Sequence, residues 1–257
     1  MVAITFLTLK VMVVSRNLFS RHKNSRKRSV MAIIVQYENR CRSEILALQP
    51  TNNESMNRNR FEEILLSTHR NGMEKVLNEL EKTDFYSAPA SSRFHLACEG
   101  GLLQHSLNVY DAATILRQQV VLREQSIDPL LPMDSIAIAT LLHDTCKSDI
   151  YKKATLSRRL ASGLWEKYSG YSVDYDEGLP LGHGEKSVIM LLSWGLELTQ
   201  EEMLAIRWHM SAWDLPLQSP EHKESLNAAK KKTPLVALVQ LSDGLASGLF
   251  EWKLQHA

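Results

Sequence analysis

Six residues of metal-ligand type follow one another along the chain: His105, the adjacent pair His143-Asp144, His183, His209 and Asp243. Imidazole nitrogen and carboxylate oxygen are natural donors for a divalent transition metal. Six such donors exceed what one ion takes from protein if a position is to stay open for water. They suit two ions that share a ligand, and a carboxylate beside an imidazole can form the bridge because it has two oxygens. Taken one at a time they would carry nothing, since the chain has nine His and a lone His is usually a surface residue or a satisfied core one. Their settings carry the argument. His105 lies in GGLLQHSLNV among Leu102, Leu103, Leu107 and Val109, His143-Asp144 closes IAIATLLHD, and Asp243 has Leu241, Leu245 and Leu249 around it. A carboxylate on an apolar helix is costly unless paired or coordinated. Two of them, with His on other apolar stretches, point to one buried polar site.

The elements that must position these residues read as helices. Apolar residues recur at spacings of three and four over 61–82, with an interruption at Asn71-Gly72. Further helices are expected at 101–124, opened by Gly100-Gly101, and at 133–146, ending in the His-Asp pair. Another spans 184–195 and ends at Gly195. Thr199 and Glu202 make a capping box for 200–210, and Pro234 suits the first turn of a last helix over 233–250. The stretch 160–177 differs, with β-branched and aromatic residues on either side of Ser169-Gly170. It reads as a small inserted β-hairpin that can bring Trp165, Tyr168 or Tyr171 over the site. The expected fold class is therefore all-α, a helical bundle with that one insertion.

Composition limits the rest. Apolar content of 44% is enough for a buried core, and three Cys without CxxC spacing suit a reducing cytoplasm better than a disulfide framework. Cys146 reads as a small core thiol. Residues 1–14 are apolar, but too few to span a bilayer, and RHKNSRKR follows them where a signal peptide would carry its charges first. No membrane association is expected. Residues 49–60 read as a polar linker, so 1–56 is expected to be a basic extension, disordered or an over-long start, and 57–257 the domain. Residues 1–60 hold 11 basic and 3 acidic residues, a balance of +8, and the other residues hold 19 and 26, a balance of −7. Long nucleic acids bind chiefly through phosphate neutralisation, so the acidic balance favours a small phosphorylated substrate over long nucleic acid. Lys152-Lys153, Arg158-Arg159 and Lys230-Lys231-Lys232 read as solvated surface.

The ligand-type residues stand in longer strings: SAPAS followed by FHLACEGGLLQHS, then LLHDTCK, PLGHGEKS and AIRWHM. In these the chain resembles the HD-domain superfamily of metal-dependent phosphohydrolases, in its six-ligand form, over about residues 60 to 250. The first strings resemble the HD domain of bacterial 3′-to-5′ exoribonucleases and their stand-alone relatives. The resemblance implies an HD-domain helical bundle and two divalent ions. His105, His143, Asp144 and Asp243 would hold one, and Asp144 would bridge to a second held by His183 and His209. It implies a phosphohydrolase or phosphodiesterase that attacks a nucleotide, or a short nucleic-acid end, through a metal-activated hydroxide. Lys147 would stabilise charge on the phosphoryl oxygens, or else merely favour a helix C-terminus. His95, in the FHLA string, is expected at the site mouth as ligand, substrate contact or structural residue. Glu185 is a candidate to orient a ligand or water. Arg207 would reach a phosphate or pair with Glu201 or Glu202. A nitrogen-rich donor set favours Mn, Fe, Co, Ni or Zn over Mg. A di-iron oxygenase built from the same ligand types, and a nucleotide-binding module without turnover, are the competing readings.

Overall fold

The computed structural model describes residues 54–160, 162–174, 179–211 and 219–252. Residues 1–53, with the basic extension and the apolar start, lie outside the described residues, as do 175–178 and 212–218. The described chain is mostly helical with one two-stranded antiparallel sheet. An all-α fold carrying a small hairpin is therefore what the structure has.

Helix α1 (Glu54–Ser67) and α2 (Met73–Leu80) flank the expected break at Asn71-Gly72. The start of α1 corrects the linker reading of 49–60, because residues 54–60 are helical. Their polar side chains are used rather than solvated: Asn57 donates to Gln104, Arg58 pairs with Glu62, and Arg60 pairs with Asp111. Helix α3 (Gly101–Arg123) packs on α4 (Met133–Leu141) and on α8 (Leu235–Leu245). Helix α5 (His183–Ser193) packs on α6 (Gln200–Trp208), and α6 in turn packs on α4 and α8. Phe61, Leu65, Leu80, Phe85, Leu103 and Leu107 are fully buried or nearly so, joined by Ile136, Ile138, Val236 and Val239. This one core holds the inner ends of α3, α4, α6 and α8 together.

Three expectations on element bounds are corrected. The helix over 133–146 stops at Leu141, and after a break Thr145–Lys147 forms a single 3₁₀ turn. The helix over 233–250 is α8 followed by a π turn at Ala246–Phe250. An additional helix, α7 (Pro220–Lys232), turns only Leu226 and Ala229 fully into the core. The hairpin lies earlier than 160–177: β1 (Tyr151–Arg159) pairs with β2 (Trp165–Val173). Ser169-Gly170 is inside β2, with Gly170 opposite Ala154. The turn is made at the other Ser-Gly pair, where Gly163 takes a φ of 86° and its N–H donates to Leu160 O at 2.9 Å.

The capping box at α6 is present, and its Glu202 does more. The side chain is completely buried, accepts both guanidinium nitrogens of Arg70 at 2.7 Å, and accepts Ser135 Oγ at 2.6 Å. One carboxylate thereby ties the α1–α2 turn, α4 and α6 together. Among the described residues no single helix is long and apolar enough to cross a membrane.

Candidate metal centre

Two glycines let the site close. Gly101 opens α3 where a Cβ would meet Leu96 O at 2.1 Å, so the loop carrying His95 lies directly on the helix that carries His105. Gly184 follows His183 where a Cβ would meet Arg207 O at 2.3 Å. The missing Cβ lets the start of α5 lie against the last turn of α6, and the rings of His183 and His209 come within 5.3 Å. A side chain at either glycine would push backbone apart.

All six ligand-type residues meet, from five segments of the chain: α3, the break after α4, the start of α5, the end of α6 and α8. His105 Nε2 is 3.3 Å from Asp243 Oδ1 and 3.6 Å from Asp144 Oδ2. His183 Nε2 is 2.7 Å from Asp144 Oδ1. His143 Nε2 and His209 Nε2 come to 3.3 and 3.5 Å of the two Asp144 oxygens. His105, His143, Asp144 and His209 are buried, and Asp243 is nearly so. Four overlapping sets have donor atoms within 4.8 Å of one another: His95-His105-Glu251, His105-His143-Asp243, His143-Asp144-His209, and Asp144-Cys146-His183. These buried His and Asp groups can hold a metal ion.

The fit to a cation rests on the nitrogens. His143 Nδ1 donates to Thr140 O and His209 Nδ1 to Ile206 O, each at 2.7 Å. Those bonds fix the tautomer and leave Nε2 with a lone pair pointing inward. In both residues Nε2 is buried and has no hydrogen-bond partner. A buried acceptor left so costs about 1–3 kcal/mol, and a metal ion is one partner that would satisfy two imidazole lone pairs facing two carboxylates. His105 is held in the same way by a residue the sequence does not single out. Its Nδ1 is 3.0 Å from Oε1 of Glu251, which is fully buried and also accepts Asn108 Nδ2 at 2.9 Å. A carboxylate behind a ligating imidazole orients the ring and raises its basicity.

The electrostatics follow from the crowding. Burial opposes charge on Asp144, but His143 and Lys147 beside it hold its carboxyl well below the usual range. Burial likewise opposes charge on Asp243, and His105 more than offsets it, so that carboxyl is depressed too. Burial would lower His105, yet its bonds to Asp243 and Glu251 raise it to about 10. Asp144 raises His209 against burial, whereas burial dominates at His183 and lowers it. Burial and the Asp144 carboxylate push the Cys146 thiol up to about 12, so it is an un-ionised core thiol 3.4 Å from His183 Nδ1.

The other expected residues fall into two groups. Lys147 and His95 line the same cavity as Asp144, His183, His209 and Asp243, a space of about 600 Å³. Lys147 Nζ is 2.7 Å from Asp144 Oδ2, and that carboxylate keeps its ammonium charged despite burial. His95 stacks 4.7 Å from the His105 ring with Nε2 buried and unpartnered; burial and then His105 lower its pKa to about 4, so it is a neutral imidazole. The residue after it, Leu96, sits at a φ of 44°, a conformation a branched side chain rarely adopts. Glu185 and Arg207 are elsewhere. They pair with each other at 2.8 Å, Arg207 lies over the Trp208 ring, and neither lines the cavity. Arg207 therefore pairs with an acid on the preceding helix, α5, rather than with Glu201 or Glu202 of its own. Trp165, Tyr168 and Tyr171 do not line the cavity either, and Trp165 is 72% exposed at the far end of the hairpin.

Compared with protein-family models, with curated proteins and with solved structures, the chain matches none. What defines the site is its own geometry, which is compatible with an HD-type metal centre.

Proposed function

We propose that this protein is an HD-type metal-dependent phosphohydrolase that cleaves a phosphoester of a nucleotide or of a short nucleic-acid end. The observation that carries the reading is the pair of orphaned, inward-facing imidazole nitrogens on His143 and His209 around a carboxylate, Asp144, that a buried ammonium also holds. His105, His143, Asp144 and Asp243 would hold one divalent ion, and Asp144, His183 and His209 a second. Two bound divalent ions supply Lewis acidity toward a phosphoryl oxygen and a lowered pKa for water. The protein's own groups do the rest. Glu251 sets the ring of His105, and the Thr140 and Ile206 carbonyls set those of His143 and His209. Lys147 holds a permanent positive charge in the cavity, where charge on a transferring phosphoryl group would build up. His95 offers a neutral ring nitrogen to a substrate hydroxyl or base edge. Asp144 and His209 lie on the buried side of the cavity, where the lower dielectric strengthens their contacts.

The test joins metal analysis of the purified protein to a phosphoester panel: a generic phosphodiester, cyclic nucleotides, nucleoside mono- and triphosphates, and short RNA. The reading expects a divalent transition metal and metal-dependent release of a phosphoester product. Iron together with aerobic oxidation of a polyol or phosphonate, and no phosphoester cleaved, would assign the site to oxygen chemistry instead. Metal-free protein that binds nucleotide without turnover would reduce it to a binding module.

A further inference from the structure

The β1–β2 ribbon carries an arrangement that the metal centre does not use. Residues 151–173 hold five basic residues and one acidic residue, a net +4, while the other residues of 61–257 hold 14 and 25, a net −11. The pairing register sorts the ribbon into two faces, because side chains alternate along a strand and cross-strand partners share a face. Tyr151, Lys153 and Arg159 of β1 fall on the same face as Tyr171, Lys167 and Trp165 of β2, through the pairs Tyr151 with Val173, Lys153 with Tyr171, Ser157 with Lys167 and Arg159 with Trp165. That face has three cations and three aromatic rings and no acid. The ribbon's one acid, Glu166, is on the opposite face, where Arg158 takes it at 2.7 Å.

The basic face is open. Lys153, Arg159, Lys167 and Trp165 are all exposed. Lys153 is 3.6 Å from Glu99 with both side chains mostly in water, a pairing worth little and easily exchanged. At nine residues per strand the ribbon is roughly 30 Å long, several nucleotides of an extended strand. Its base adjoins the site. Strand β1 begins at Tyr151, four residues after Lys147, and Glu99, which Lys153 meets, belongs to the loop that carries His95.

Single-stranded nucleic acid is bound where cations track the backbone and aromatic rings stack bases. We infer that the Tyr151–Lys153–Arg159 and Trp165–Lys167–Tyr171 face of the hairpin is a docking arm for a single-stranded nucleic-acid chain, whose end is delivered to the metal centre. The inference rests on the phosphoester reading for the second clause only. The partner is fixed by charge: phosphates neutralise a +4 ribbon, and an acidic body confines the strand to it.

The test measures binding of a fluorescein-labelled oligouridylate of about twelve nucleotides, a length that spans the ribbon, to the full chain stripped of metal with chelator. Fluorescence anisotropy is read at several salt concentrations. The triple variant K153A/R159A/K167A should weaken binding roughly tenfold or more and lower the slope of log K against log salt by about 2. Trp165→Ala should weaken it by roughly tenfold with little change of slope, since it removes stacking and no charge. The opposite-face variant K152A/R158A should stay within about twofold. The basic N-terminal segment is common to all, so it cancels in the comparison. Equal losses from both faces, or no loss from either ribbon variant, would overturn the arm. So would a shift of the triple variant from dimer to monomer in sedimentation, which would make the face a contact between copies. Oligonucleotide binding without cleavage of any phosphoester when metal is restored keeps the arm and sinks the phosphoester reading. Cleavage of a small phosphodiester without oligonucleotide binding does the reverse.

Discussion

Asp144→Asn separates the two jobs the central carboxylate has. Asp144 Oδ2 is 2.7 Å from Lys147 Nζ, with side-chain exposures of 2% and 12%. The amide keeps the shape and loses the charge, so Lys147 is left as a buried ammonium without its anion. Breaking a buried pair from one side costs about 3–5 kcal/mol. The amide oxygen can still accept one hydrogen bond, which places the loss near the lower bound. At about 2–4 °C per kcal/mol for a domain of this size, the metal-free variant should melt roughly 6–12 °C below the wild type. The second job shows on adding metal. Saturating a site at about 100 times its Kd stabilises by about 2.7 kcal/mol, and a neutral amide would be a poorer ligand than the carboxylate proposed to hold the ions, so the variant should lose most of that rise. Calorimetry of both proteins with and without Mn²⁺, beside metal analysis, measures each part. K147M added to D144N should recover part of the metal-free loss, because no unpaired charge remains. A variant that melts like the wild type without metal, or that keeps the full metal-dependent rise and turnover, would refute the central role of Asp144.

Lys147→Ala should keep its metal content and lower kcat roughly 10²–10³-fold, the scale for one group that stabilises developing charge, with Lys147→Arg recovering only part; rate and metal measured on one preparation check it. Glu251→Gln should weaken metal binding roughly 10–100-fold by losing the charge behind His105, read by chelator competition. Because His105 is held at about 10 in the metal-free protein, loading metal at pH 8 should release about one proton or more per chain, measured with a pH indicator in weak buffer. The sign for stability follows: the protonated His105 stabilises the metal-free fold fully below about pH 6.5, the unfolded value, and that contribution is lost as pH rises through about 10. Glu202→Ala should destabilise by about 3–5 kcal/mol, since it strands Arg70 and uncaps α6 at once; denaturant unfolding gives the value.

The metal-type residues are legible because each is a polar group in or beside an apolar stretch, and burial turns that mismatch into a demand for a partner. The α6 cap is legible because Thr199 and Glu202 satisfy each other locally. What escapes the sequence is what depends on distance along the chain. Glu251 meets His105 across 146 residues, and nothing about an acid after an apolar run announces that meeting. The sequence offers Arg207 the acids of its own helix, and the fold gives it Glu185 on the preceding one. Helix α7 has only two residues fully in the core, too few for a period to show. The hairpin is displaced from its expected place because the stretch contains two Ser-Gly pairs, at 162–163 and 169–170, and only pairing with β1, whose sequence YKKATLSRR hardly alternates, decides between them.

Net charge hides distance along the chain in the same way, and that bears on the proposed substrate. The balance of −7 over 61–257 argues against an extended nucleic acid, but that number is a sum over a body at −11 and a ribbon at +4. A strand of phosphates responds to the field at the surface it touches, and within about 10 Å at ordinary salt that field is set by the nearest side chains. Sorting by register sharpens it further, because the pairing puts Glu166 behind the ribbon with Arg158 and leaves Lys153, Arg159 and Lys167 in front. The argument from net charge therefore describes the helical body, and under the proposed docking arm it would not extend to the ribbon face. A substrate longer than a nucleotide is the one that would engage that face and the site together.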